Sequence, residues 1–117
     1  MLVVEQMNRT ETLDGKDLVY TYRLTKDLKV LSSEGESIEI QAYGIEAERQ
    51  DFCNDTLINV EREFIKFISP QRYKVKNLMN LLYDNIVSPI HLVEVLGEYI
   101  DEYVSDFDRC ELELAIN

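Results

Sequence analysis

Histidine occurs once in this chain, proline and cysteine twice each, and glycine four times. Each scarcity excludes something. Six glycines and prolines in 117 residues are too few for a disordered or linker-rich chain. The glycines stand apart from one another, so there is no glycine-rich loop to cradle a phosphate, and no GxSxG elbow occurs. A serine- or cysteine-based triad would have to use His91, and neither Cys53 nor Cys110 lies in a supporting local pattern. The cysteines are far apart and form no CxxC pair. A reduced intracellular pair is the expected reading, with a long-range disulfide as the alternative. No run approaches the roughly 20 apolar residues of a membrane helix. The opening Met1-Leu-Val-Val-Glu lacks the basic region and apolar run of a signal peptide, so a cytoplasmic location is expected.

What is present reads as one domain of ordinary globular composition, 45% apolar and 30% charged. That length buries a core without disulfides or metal, so no cofactor is expected. The net charge of −11 repels phosphate backbones at long range. The charge is also segregated. Asn59 to Met79 carries five bases, Arg62, Lys66, Arg72, Lys74 and Lys76, against Glu61 and Glu63, whereas Glu94 to Glu113 holds eight acids and only Arg109 in opposition.

Strands are expected over about residues 1–68. Asp14-Gly15 is a hairpin signal. Leu18, Tyr20, Tyr22 and Leu24 alternate with Val19, Thr21, Arg23 and Thr25, the period of a half-buried strand. Ser32 to Gly35 is the next turn. Ile38, Ile40 and Ala42 set one phase and Ile45 and Ala47 the other, and a β-bulge at Gly44 would absorb the shift. Asp51 to Thr56 turns again. Leu57 to Ile68 reads as a fourth strand or a split pair. Short connections imply an antiparallel meander.

Helices are expected over about residues 70–106. Ser69-Pro70 and Ser88-Pro89 both read as an N-cap followed by proline at the first helical position. Val75, Leu78, Met79, Leu82, Tyr83 and Ile86 make one apolar stripe. Leu92, Val95, Leu96, Tyr99, Tyr103 and Val104 make the second. The short connection calls for antiparallel or steeply crossed helices on one face of the sheet. Gly97, inside the second helix, suggests close approach of another backbone. In the tail, residues 107–117, Cys110, Leu112, Leu114 and Ile116 alternate with more polar positions. That fits either a short strand or a fraying helix end.

Several clusters invite a chemical reading. His91 has Glu94 and Glu98 at helical spacing, but a metal site wants more nitrogen or sulfur ligands, so a polar bridge between the helices is favoured. Glu94, Glu98, Asp101 and Glu102 belong to the outer face of an amphipathic helix, where solvated charge is normal. Arg72, Lys74 and Lys76 beside Tyr73 are the best nucleic-acid candidates, Tyr73 being able to stack on a base. A helix-turn-helix reading fails because its second helix is acidic and would be expelled from a DNA groove.

Ala42-Tyr-Gly-Ile-Glu-Ala-Glu-Arg, Ile68-Ser-Pro, Ser88-Pro-Ile-His-Leu and Gly97-Glu-Tyr together resemble a family of small uncharacterised proteins of clostridia-type bacteria, known as a domain of unknown function. The likeness covers about residues 18–103, and Ser88-Pro-Ile-His-Leu is its most specific part. It implies no activity, so no functional residue carries over.

The residues thus point to an α+β fold, about four antiparallel strands followed by an αα-hairpin packed on one face. The expected function is a non-catalytic protein-interaction or regulatory module with a protein partner or a second copy. Its candidate interaction residues are Glu94, Glu98, Asp101, Glu102, Leu112, Leu114 and Ile116. A nucleic-acid-associated protein using Arg62, Lys66, Arg72, Lys74 and Lys76 is the alternative, and a small-molecule enzyme the third reading.

Overall fold

A computed structural model describes residues 1–116, except for the side chains of Ser33, Glu111, Leu114, Ala115 and Ile116. It contains β1 (Leu2–Leu13), β2 (Lys16–Ser33), β3 (Glu36–Cys53), β4 (Thr56–Ser69), α1 (Arg72–Asp84), a 3₁₀ turn (Pro89–His91) and α2 (Leu92–Ile116). The four strands form one antiparallel meander in the order β1-β2-β3-β4, and both helices pack on it.

Three two-residue loops set the register. Asp14-Gly15, Glu34-Gly35 and Asn54-Asp55 all carry positive φ at both positions. That geometry matches the right-handed strand twist, which is why such short loops can close hairpins. β2 and β3 are 18 residues each, and the long axis of 59 Å is what such a strand spans at about 3.3 Å per residue. β1 stops pairing at Lys26 and β4 at Tyr43, so the β2–β3 hairpin continues alone as a two-stranded arm.

The core lies between the sheet and the helices. Tyr20, Tyr22 and Leu24 of β2 meet Ile45 and Ala47 of β3, Val75, Leu78, Met79 and Leu82 of α1, and Leu92 and Leu96 of α2. Tyr22 is fully buried, and its hydroxyl donates to the Val87 carbonyl at 2.8 Å. Burial pushes the Tyr22 pKa well above its usual value, so this donor stays protonated. Arg9 donates to the Tyr83 carbonyl at 2.9 Å and lies 5.0 Å from the Tyr83 ring centre. A cation thus satisfies the C-terminal end of α1.

The irregularity expected at Gly44 is present, but the extra residues belong to β4. Two steps in β3, Tyr43 to Ile45, oppose four in β4, Ser69 to Ile65. The β2–β3 register runs unbroken past Gly44, so Ala42 and Ile45 stay on opposite faces, and both are buried. A Cβ on Gly44 would collide with the carbonyls of Ile65 and Lys66, so only glycine admits this crossing of β4.

The helix starts differ in detail. α1 begins at Arg72, and its N-cap position, Gln71, makes no side-chain cap. Ser69 is not the cap. Its hydroxyl accepts from the Gln71 N–H at 3.1 Å and donates to Asp106 of α2 at 3.0 Å. Ser88-Pro89 opens the 3₁₀ turn rather than α2 itself. α1 ends with paired bonds from Ile86 to Tyr83 and from Val87 to Leu82, the Schellman pattern. Here Ile86, at φ 51°, holds the left-handed position usually given to glycine. The tail is helical as far as Ile116, where α2 ends. The short-strand reading is thereby overturned.

Candidate functional site

α2 presents two faces. Leu92 and Leu96 enter the core, and Val95, Ile100 and Tyr103 pack partly against it. Phe107 is buried further on, with the Lys29 ammonium 4.6 Å from its ring centre and 5.0 Å from that of Phe67. Tyr99, expected in the core, is instead 36% exposed beside Tyr103. Glu94, Glu98, Asp101 and Glu102 all point to solvent. Among the described residues, only Glu94 of these four has an ion-pair partner, His91 Nδ1 at 3.2 Å. His91 is exposed and does not bridge the helices.

Asp106 departs from this outer row. It is 4% exposed, receives the Ser69 hydroxyl, and takes both of its Lys74 bonds at 2.8 and 2.9 Å. The Asp106 hydrogen bond holds the Lys74 pKa above its usual value. This linkage ties α1 to α2 and to the end of β4.

The five bases singled out by sequence are dispersed. Arg62 pairs with Glu48 and Lys66 with Asp27, the latter at 3.7 Å. Arg72 and Lys76 share Glu5 at 3.3 and 3.0 Å, and Lys74 holds Asp106. Tyr73 is exposed. Glu48 sits between Arg62 and Arg23 on the sheet. Its burial favours the neutral form, but the Arg62 hydrogen bond and both arginine charges outweigh that and hold its pKa below the usual carboxylate value. Asp51 follows the same logic, burial being outweighed by the bonds from Arg49 and Asn59. All five candidate bases are thus held by carboxylates of the chain itself, whereas Glu98, Asp101 and Glu102 of α2 have no ion-pair partner among the described residues.

Leu112 is exposed on the helical tail, while the side chains of Leu114 and Ile116 lie outside the described residues. Cys53 and Cys110 are free thiols, and burial pushes the Cys110 pKa up, away from thiolate chemistry. Among the described residues no group of three His, Cys, Asp or Glu side chains is placed to hold a metal ion. No described helix is long and apolar enough to cross a membrane.

Sequence reasoning missed one feature. The 3₁₀ turn lies against the outer edge of β4 and leaves a cleft of about 310 Å³, lined by Val60, Glu61, Arg62, Glu63, Pro89 and Ile90. Ile90 is 69% exposed, and Val60 and Val93 are also exposed. The Phe64 N–H bonds to the Glu63 carboxylate at 3.1 Å, so it points away from β3. Strand alternation then turns the N–H and C=O of Val60 and Arg62 outward as well. The only sequence signal was apolar Ile90 beside Pro89, which helical periodicity does not single out.

A family model described as a family of unknown function (DUF6514) matches residues 1–102. No curated protein and no solved structure matches the chain.

Proposed function

The chain belongs to this family of unknown function, DUF6514, and we propose that it is a non-catalytic interaction module that binds a cationic protein segment through the acidic outer face of α2. One observation carries the reading. Glu94, Glu98, Asp101 and Glu102 are all exposed on one helix, while the chain's own candidate bases are engaged by other carboxylates. Unmatched charge of one sign steers a partner of the other sign and sets register and on-rate. The exposed Val93 and Val104 on the same helix add apolar contact. In this reading the protein works in the cytoplasm of a bacterium of the clostridial type.

A catalytic role has less support, because His91 bonds only to a solvent-facing glutamate among the described residues. Nucleic-acid binding is disfavoured by the net charge of −11 and by the pairing of every base proposed for it. Self-pairing through a C-terminal strand loses its basis, since that segment is helical.

The test is affinity capture from the native cytoplasm, comparing the wild-type chain with one carrying Glu94→Gln, Glu98→Gln, Asp101→Asn and Glu102→Gln. The expected result is a partner that elutes with rising salt and is missing from the variant's eluate. A partner retained equally by both chains would remove the acidic face from the reading.

A further inference from the structure

We propose that the outer edge of β4, at Val60 and Arg62, is a docking edge for an extended cationic segment of a partner protein, which adds to the sheet as a fifth strand beside the 3₁₀ turn. The inference rests on the proposed binding of a cationic partner and specifies where and in what conformation it binds.

The backbone supplies the first argument. β4 is an edge strand, and the N–H and C=O of Val60 and Arg62 face outward. An added strand pairs with such groups through main-chain hydrogen bonds and reads the flanking side chains for specificity. The Glu63 carboxylate occupies the Phe64 N–H and so closes the edge beyond Arg62. The docking window is therefore short and defined.

Charge supplies the second. Glu61 and Glu63 line the cleft, and the one cation there, Arg62, is held by Glu48. Glu61 reaches Arg49 with Oε1 at 3.5 Å, and its Oε2 is buried with no hydrogen-bond partner among the described residues. A lysine of the docked strand, placed opposite Glu61, supplies that donor once the carboxylate turns outward. Exposed Val60 and Ile90 suit apolar residues alternating with such lysines. Val93 and Glu94, three and four residues beyond Ile90, are exposed at the start of α2 and give the same partner a second place to engage. A second copy of the chain is a poor occupant. Antiparallel pairing of two β4 edges about Arg62 sets Glu61 against Glu63, and like charges directly opposite are destabilising.

The probe is a six-residue peptide alternating lysine and valine, with a lysine-leucine peptide of equal charge that forms an amphipathic helix as the comparison. Binding is followed by amide chemical shifts and amide exchange of the full chain. The expected result is that the extended peptide shifts and protects the Val60 and Arg62 amides. It should bind at least 10-fold more weakly after N-methylation of alternate residues, a change that leaves the protein untouched. Val60→Pro, which removes an outward N–H rather than a ladder bond, should cause a similar loss. Shifts confined to α2, with N-methylation without effect, would overturn the edge and leave the acidic face standing. No binding of either peptide would overturn both.

Discussion

Gly97 shows how a residue's environment decides what its type can mean. A glycine inside a helix costs about 1 kcal/mol relative to alanine, so close packing was the expected reason to keep one there. The structure removes that reason, because a Cβ at position 97 meets nothing within 4 Å. Gly97→Ala is therefore expected to stabilise the fold by roughly 1 kcal/mol, read as a higher denaturant midpoint at unchanged slope. A lower midpoint would mean that another body approaches this stretch of α2. Gly44 is the opposite case, since β4 carbonyls occupy the space its side chain would need. Ile86 is a third kind of residue. Left-handed geometry costs a β-branched residue roughly 1–2 kcal/mol, and here the side chain recovers stability by packing against the core.

At the scale of elements, the strongest periodicities were the legible ones. The Leu18-Tyr20-Tyr22-Leu24 alternation and the Val75-Leu78-Leu82 stripe both face the core, because one side of each element must leave water. Leu82 is fully buried, and Leu82→Ala is expected to cost about 2–5 kcal/mol in equilibrium unfolding. An unchanged midpoint would mean that α1 is not seated on the sheet. Three features were not legible, each for a physical reason. The Ser69-Pro70 cap failed because α1 starts later, with Gln71 at the N-cap position, and the Ser69 hydroxyl accepts from the Gln71 N–H while donating to Asp106, 37 residues away, a partner no local rule can supply. The tail alternates in a way that suits a strand, yet it continues a 25-residue helix whose earlier turns are already formed, and adding to a helix is easier than starting a new element. The docking cleft was hidden because it joins residues 60–63 to residues 89 and 90, a proximity created only by the hairpin of helices.

For the whole molecule, charge sets two opposing contributions to stability. A net charge of −11 makes the compact state repel itself at pH 7. Against this stand ion pairs in which Glu5, Glu48 and Asp51 keep pKa values below their usual range. The Lys76 hydrogen bond leads at Glu5, and at Glu48 and Asp51 arginine bonds overcome burial. A carboxylate with a depressed folded-state pKa contributes stability that is present above its unfolded-state pKa, near 4, and lost as pH falls through the folded-state value. Repulsion behaves in the other direction, easing as pH falls from 7 toward the isoelectric point of about 4.4. Melting temperature is therefore expected to rise on mild acidification and then to drop below about pH 4, as the paired carboxylates take up protons. Salt separates the two contributions. Screening weakens long-range repulsion between exposed acids more than it weakens the partly buried pairs at Glu48 and Asp51. Raising salt at pH 7 should increase the melting temperature by a few degrees, about what 1 kcal/mol delivers in a domain of this size. Near the isoelectric point the same addition should do little. A fall with salt at pH 7 would mean that the ion pairs outweigh the repulsion. Glu98, Asp101 and Glu102 of α2 would then be too well screened or too dispersed to steer a cationic partner.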